Sequence, residues 1–128
     1  MKRLILLFGI LLGISTFSQA TEKQEENVYS NVDRAATFKD GIPSFRNEFA
    51  KNIKTNKIKG KGVLRTELTF VVERDGTLSD IKATGSSESF NEQAIKAIKK
   101  IKTTWNPGMV RGTPVRSRFR FPATLKID

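Results

Sequence analysis

With no cysteine and no histidine among its 128 residues, the chain offers only carboxylates, amines, guanidinium groups, hydroxyls and one phenol for chemistry. That set excludes a thiol nucleophile, an imidazole base, a disulfide framework and a zinc site built from Cys and His. The carboxylates that cluster in sequence are Asp75, Asp80, Glu88 and Glu92; held at the right separation, such groups do general acid and base work. Each has a simpler assignment to a turn or a helix start. Tyr29 is isolated, and no serine lies in a Gly-x-Ser-x-Gly setting. Gly60-Lys61-Gly62 is too short to cradle a phosphate and has no strand before it. The expectation is a chain that is not an enzyme and carries no catalytic residue, metal or cofactor.

The most pronounced spacing belongs to Arg116, Arg118 and Arg120, which alternate with Val115, Ser117, Phe119 and Phe121. A period of two puts guanidinium groups on one face of a strand and apolar groups on the other. Such a strand can hold anionic groups on its basic face. At a sheet edge it can also accept an extended peptide along its backbone. Pro122 points to an edge, because proline brings no N–H to a central ladder.

The elements that must position this strand follow from periodicity. Ile42, Phe45, Phe49 and Ile53 fall on one stripe of a helix over Pro43 to Ile53, with Pro43 suited to its first turn. Leu64, Thr66, Leu68, Phe70 and Val72 alternate with Arg65, Glu67, Thr69 and Glu73, which predicts a half-buried strand. Asp75-Gly76 then separates it from a second alternating run, Leu78 to Ala83, as in a hairpin with a primed turn. Phe90, Ala94, Ala97, Ile98 and Ile101 predict a second helix over Phe90 to Lys102. Two starts compete for it: Ser89 with Glu92 as a capping box, or Asn91 as N-cap with Phe90 and Ile95 as a staple. Lys99, Lys100 and Lys102 in its last turn complement the helix dipole. Trp105, before the Pro107-Gly108 turn, is expected to cap the core rather than touch a ligand.

The order helix, strand, strand, helix, strand predicts an α+β fold. Its sheet would be a three-stranded antiparallel one in the order 2-1-3, with both helices on one face. The other face would be wet and display Arg65, Glu67, Glu73, Arg116, Arg118 and Arg120. A hydrophobic share of 38%, with 9 Phe, suits one folded domain and is too high for a disordered chain.

Met1-Lys2-Arg3 followed by the apolar run Leu4 to Ile14 has the order of a cleavable export signal, with Ser18-Gln19-Ala20 as its small-x-small site. Even extended to Phe17, the run falls short of the roughly 20 residues of a membrane-spanning helix, so an inner-membrane anchor over residues 4–17 is the alternative. The expected organisation is a signal peptide over 1–20, a flexible tether over 21–37 and a folded domain over 38–128. With 23 Lys and Arg against 13 Asp and Glu, the formal net charge is +10. Such a charge favours encounter with anionic partners; nucleic acid is excluded by an exported location.

The ordered residues resemble the C-terminal domain of TonB-type energy transducers. Val28-Tyr29, Val32-Asp33 and Phe38 through Gly41 are similar to the family's lead segment, and Phe45 through Ile53 to its first helix. Gly62-Val63, Leu68 through Val72, Asp75-Gly76 and Leu78 through Ile81 follow its hairpin. Phe90 through Ile95 correspond to its second helix. The most specific stretch is Trp105-x-Pro107-Gly108, followed by Gly112-x-Pro114-Val115 and Phe119-x-Phe121-Pro122. A Tyr-Pro common after the family's first helix is replaced by Ile53-Lys54-Thr55-Asn56.

The resemblance implies a periplasmic protein-binding domain. It would recognise a peptide segment of an outer-membrane TonB-dependent receptor, or of another envelope protein, by adding it as a strand to the edge of the last strand. This β-augmentation would link the chain to transport across the outer membrane. The partner-binding residues would be Arg116, Ser117, Arg118, Phe119, Arg120, Phe121 and Thr124. Full transducers resemble anchored proteins with a Pro-rich spacer. Thr21 to Asn27 holds no proline, so the expected role is binding without delivery of force. An exposed edge also permits a homodimer by strand exchange. The alternative function is binding of an anionic lipid or lipopolysaccharide surface by Arg116, Arg118 and Arg120 together with Lys96 and the loop Lys59 to Lys61.

Overall fold

The computed structural model describes residues 27–128. The expected export signal, its cleavage site and the first part of the tether lie outside the described residues. The elements are β1 (Val28–Tyr29), β2 (Thr37–Phe38), α1 (Ile42–Asn52), β3 (Gly62–Val72), β4 (Leu78–Thr84), α2 (Glu88–Lys99), β5 (Trp105–Asn106), β6 (Gly108–Val110) and β7 (Thr113–Ile127). Both helices and the first two long strands stand where periodicity placed them, within a few residues, and the last strand starts where expected but runs on past Phe121 to Ile127.

The fold is α+β, but the sheet is mixed and larger than the expected three-stranded antiparallel one. Its path runs β1-β7-β3-β4, with β6 also pairing β7 and β2-β5 forming a separate ribbon. The additional partner β1 is parallel to β7, with Val28 beside Arg116 and Tyr29 beside Ser117. Val28 and Tyr29, expected within a flexible tether over residues 21–37, are therefore part of the sheet. Two-residue strands carry no readable alternation, so they appear only when distant backbone supplies their hydrogen bonds.

Pro122 does not end the last strand. β7 pairs antiparallel with β3 without interruption, from Ser117 opposite Val72 to Ile127 opposite Gly62. The β3–β4 hairpin closes differently from a two-residue primed turn. Glu73 N donates to Thr77 O at 2.8 Å and Gly76 N to Glu73 O at 2.9 Å, leaving a three-residue loop with Gly76 at φ 88°. That is the type I turn with a left-handed third residue, for which glycine is suited. Trp105 N also donates to Gly76 O at 2.9 Å, which ties the hairpin tip to β5.

Helix α2 starts from neither anticipated cap. Ser87 Oγ accepts from Phe90 N at 3.2 Å, while Asn91 instead donates its side-chain amide to Gly85 O at 3.0 Å. The core lies between the helices and one sheet face, and it is mostly aromatic. Trp105 is 2% exposed, with ring centroids of Phe119, Phe45, Phe38 and Phe70 at 4.8, 5.1, 5.4 and 5.4 Å. These edge-on contacts place Trp105 in the core, as expected.

Candidate functional site

The long strand β7 has two sides, and only one is filled along its length. On one side β3 covers Ser117 to Ile127. On the other, β1 covers Arg116 and Ser117. Among the described residues, no strand pairs with that second side from Arg118 onward.

The direction of each backbone group follows from the hairpin. Glu73 turns both its N–H and its C=O toward the β4 side. In an antiparallel ladder such groups alternate residue by residue. Odd-numbered residues of β3 therefore face β4, and Leu68, Phe70 and Val72 face β7. Their partners Phe121, Phe119 and Ser117 turn inward to β3. Arg118, Arg120, Pro122, Thr124 and Lys126 then direct their backbone groups to the open edge. Pro122, the residue without an N–H, sits at a position that owes nothing to β3, which is why the ladder runs through it unbroken.

The seven residues expected at the site thus divide. Arg118, Arg120 and Thr124 present backbone to the open edge. Phe119 and Phe121 bond to β3 and send their rings into the core, where Phe119 stacks on Phe70 at 5.5 Å and Phe121 meets Phe45 at 4.9 Å. Arg116 and Ser117 are corrected as open-edge residues, because β1 already lies beside them. Sequence periodicity shows which face a side chain takes but not which edge another strand fills.

The outer face is also not a free basic surface. Arg116 Nε and Nη2 reach Glu73 Oε1 and Oε2 at 2.8 and 3.2 Å, a bidentate pair of the stronger kind. Ser79 Oγ donates to the same carboxylate. The Arg116 hydrogen bond, and then that of Ser79, hold Glu73 below the usual carboxylate range against an opposing effect of burial. Arg118 Nη2 lies 3.2 Å from Asp80 Oδ2, with Lys82 Nζ 3.6 Å from the other oxygen. The hydrogen bond from Arg118 is the main cause that lowers the Asp80 pKa. A one-residue register shift between Thr69 and Val71, with Asp80 at φ 50°, is the β-bulge that accompanies this placement. Arg120 Nη1 is 3.5 Å from Glu67 Oε1, and both side chains are well exposed, so that pair contributes little.

These pairs engage the arginines of the expected basic patch. Carboxylates of β3, β4 and their connection lie beside the three arginines, closely for Arg116 and Arg118 and loosely for Arg120. Lys96 lies on α2, which packs against the opposite face of the sheet. The face is not uniformly wet either: Val71 is 1% exposed beside Arg118 in the ladder, where arginine stems cover apolar surface.

One feature of the site was not legible. A groove of about 290 Å³ runs between α1 and β7, lined by Arg46, Phe49, Ala50, Ile53, Thr55, Phe90 and the stretch Phe121 to Leu125. It flanks the open edge on the inner side of the sheet. Phe49 and Ile53 read as ordinary core positions on a helical stripe. The signal that they line a groove is the partial exposure of Ile53 and Leu125, which exists only in the folded chain.

Among the described residues no group of three or more Asp or Glu could hold a metal ion, and no helix is long and apolar enough to cross a membrane. Neither a curated protein nor a solved structure matches the chain. One family model does, that of the Gram-negative bacterial TonB protein C-terminal domain, over residues 49–126. The match begins inside α1 and runs through the hairpin, α2 and nearly all of β7, the elements that build the open edge. The chain belongs to the TonB C-terminal domain family.

Proposed function

We propose that the chain is a periplasmic binding domain that takes an extended peptide segment of an outer-membrane receptor, or of another envelope protein, as an added strand along β7. The peptide would pair with Arg118, Arg120, Thr124 and Lys126. Domains of this family are periplasmic in type and interact with outer-membrane proteins, which would link the chain to transport across the outer membrane.

One observation carries this reading. Among the described residues, the backbone groups of β7 beyond Ser117 have no strand partner on one side, while β3 holds the other side from Ser117 to Ile127. A rigid, half-paired strand is the template that β-augmentation needs, because backbone bonds then form without ordering the acceptor. Lys and Arg on an edge also discourage indiscriminate pairing. Here Arg116 and Arg118 are engaged by carboxylates across the outer face, which leaves the backbone of the edge accessible.

An amide NMR titration of the full chain with synthetic receptor-segment peptides tests the reading. Shifts should concentrate on Arg118, Arg120 and Thr124 and persist at moderate salt, since backbone pairing is screened far less than surface charge. Arg118→Pro, which removes an outward N–H, should weaken binding and leave the fold intact. Shifts spread over the basic loops and lost with salt would reject strand addition.

A further inference from the structure

The open edge and the groove between α1 and β7 are continuous, because Pro122 and Thr124, which direct their backbone groups to the open edge, also line the groove. We infer that this groove is a side-chain specificity pocket for the added strand. It would accept one large apolar side chain of the peptide, with a peptide carboxylate held by Arg46 at the rim. The inference rests on the strand-addition reading and says which peptides that edge would select.

Geometry sets the register. Side chains of an added strand alternate between the two faces of the sheet, so every second one points to the inner side. There the strand would run past Phe49, Ala50 and Ile53 of α1 and the segment after it. The groove, at about 290 Å³, is at the lower bound of ordinary small-molecule sites, roughly 300–1,000 Å³. It has room for an apolar side chain presented by a backbone. Phe49 and Phe121 form its floor, each 7% exposed, so it is preformed and apolar where a side chain would enter.

Charge supplies the second element of selection. The outer-face arginines Arg116, Arg118 and Arg120 are each answered by a carboxylate. Arg46 is exposed, lines the groove and makes no salt bridge among the described residues. An inward apolar residue with a nearby Glu or Asp would satisfy both features. A peptide with lysine there would meet a like charge, which is how specificity is gained by exclusion.

The test uses the full chain and three nine-residue peptides with strand-forming backbones. The first carries leucine at its inward positions and one glutamate; the second replaces those leucines by serine; the third replaces the glutamate by lysine. Affinities come from calorimetry, and edge amides are followed by NMR. The leucine peptide should bind about tenfold more tightly than the serine peptide, a difference of about 1.4 kcal/mol. Ala50→Phe, a change at an exposed groove-lining position, should fill the pocket and abolish that difference. Arg46→Glu should reverse the preference for glutamate over lysine. Equal affinities for the leucine and serine peptides, with edge shifts in both, would overturn the pocket and leave strand addition standing. Edge amides that move with none of the three peptides would overturn both readings. A lysine peptide that binds as well as its glutamate counterpart would overturn the role of Arg46.

Discussion

Glu67 and Pro122 face one another across the β3–β7 ladder in a pair whose backbone groups point away from each other. The same alternation that makes proline harmless there turns the amides of Arg118, Arg120 and Thr124 to the open side. Hydrogen exchange should report this directly. In the free chain those three amides should exchange fast, and the amides of Phe119, Phe121 and Ala123, bonded to β3, slowly. A bound peptide should protect the first set. Equal protection of both sets before any peptide is added would mean that the edge is already covered.

Proline placed one residue along the same strand has the opposite consequence. Phe119→Pro removes an inward N–H and a ring packed on Phe70 and Trp105, at a cost of about 3–5 kcal/mol for the lost aromatic side chain alone. Arg118→Pro removes an outward N–H and a partly exposed ion pair, and should cost about 1 kcal/mol or less. Urea denaturation of the two variants separates them. Similar midpoints would contradict the assigned alternation.

Gly76 joins the hairpin tip to Trp105, and a Cβ there would lie 2.3 Å from Trp105 O at a backbone φ of +88°. Gly76→Ala should destabilise by about 3 kcal/mol, combining backbone strain with a contact that backbone atoms cannot relieve. Gly62 has a similar φ of +81° but open space around it. Gly62→Ala should cost only the strain, about 1 kcal/mol. Thermal unfolding of both variants would show whether the contact or the dihedral dominates.

The Arg116–Glu73 pair gives the fold an acid-sensitive element. Glu73 is held below the ordinary glutamate value near 4.5, so its stabilisation is complete above that value and is lost as pH falls through the depressed one. Stability measured by urea midpoints from about pH 6 to pH 3 should decline on that limb. Glu73→Gln should lower stability at neutral pH and flatten the decline. An unchanged slope in the variant would assign the acid limb to other groups.

Periods of 2 and 3.6 are imposed by local chain geometry, so the two helices, the β3–β4 strands, the start of β7 and the burial of Trp105 were legible before folding. The sequence also showed the family, because Trp105 through Pro122 keep their order and spacing whatever the chain packs against. Which side of β7 stays open was decided only by tertiary structure: Val28 and Tyr29 lie far from Arg116 in sequence, and a two-residue strand has no periodicity to read. The partners of the arginines were equally hidden, since Glu73, Asp80 and Glu67 stand 43, 38 and 53 residues from Arg116, Arg118 and Arg120. Alternation assigns these side chains to one face, but pairing register and the bulge at Asp80 bring opposite charges together. The groove beside the edge belongs to the same class. It is a gap between α1 and β7, and a gap is a property of how two surfaces meet.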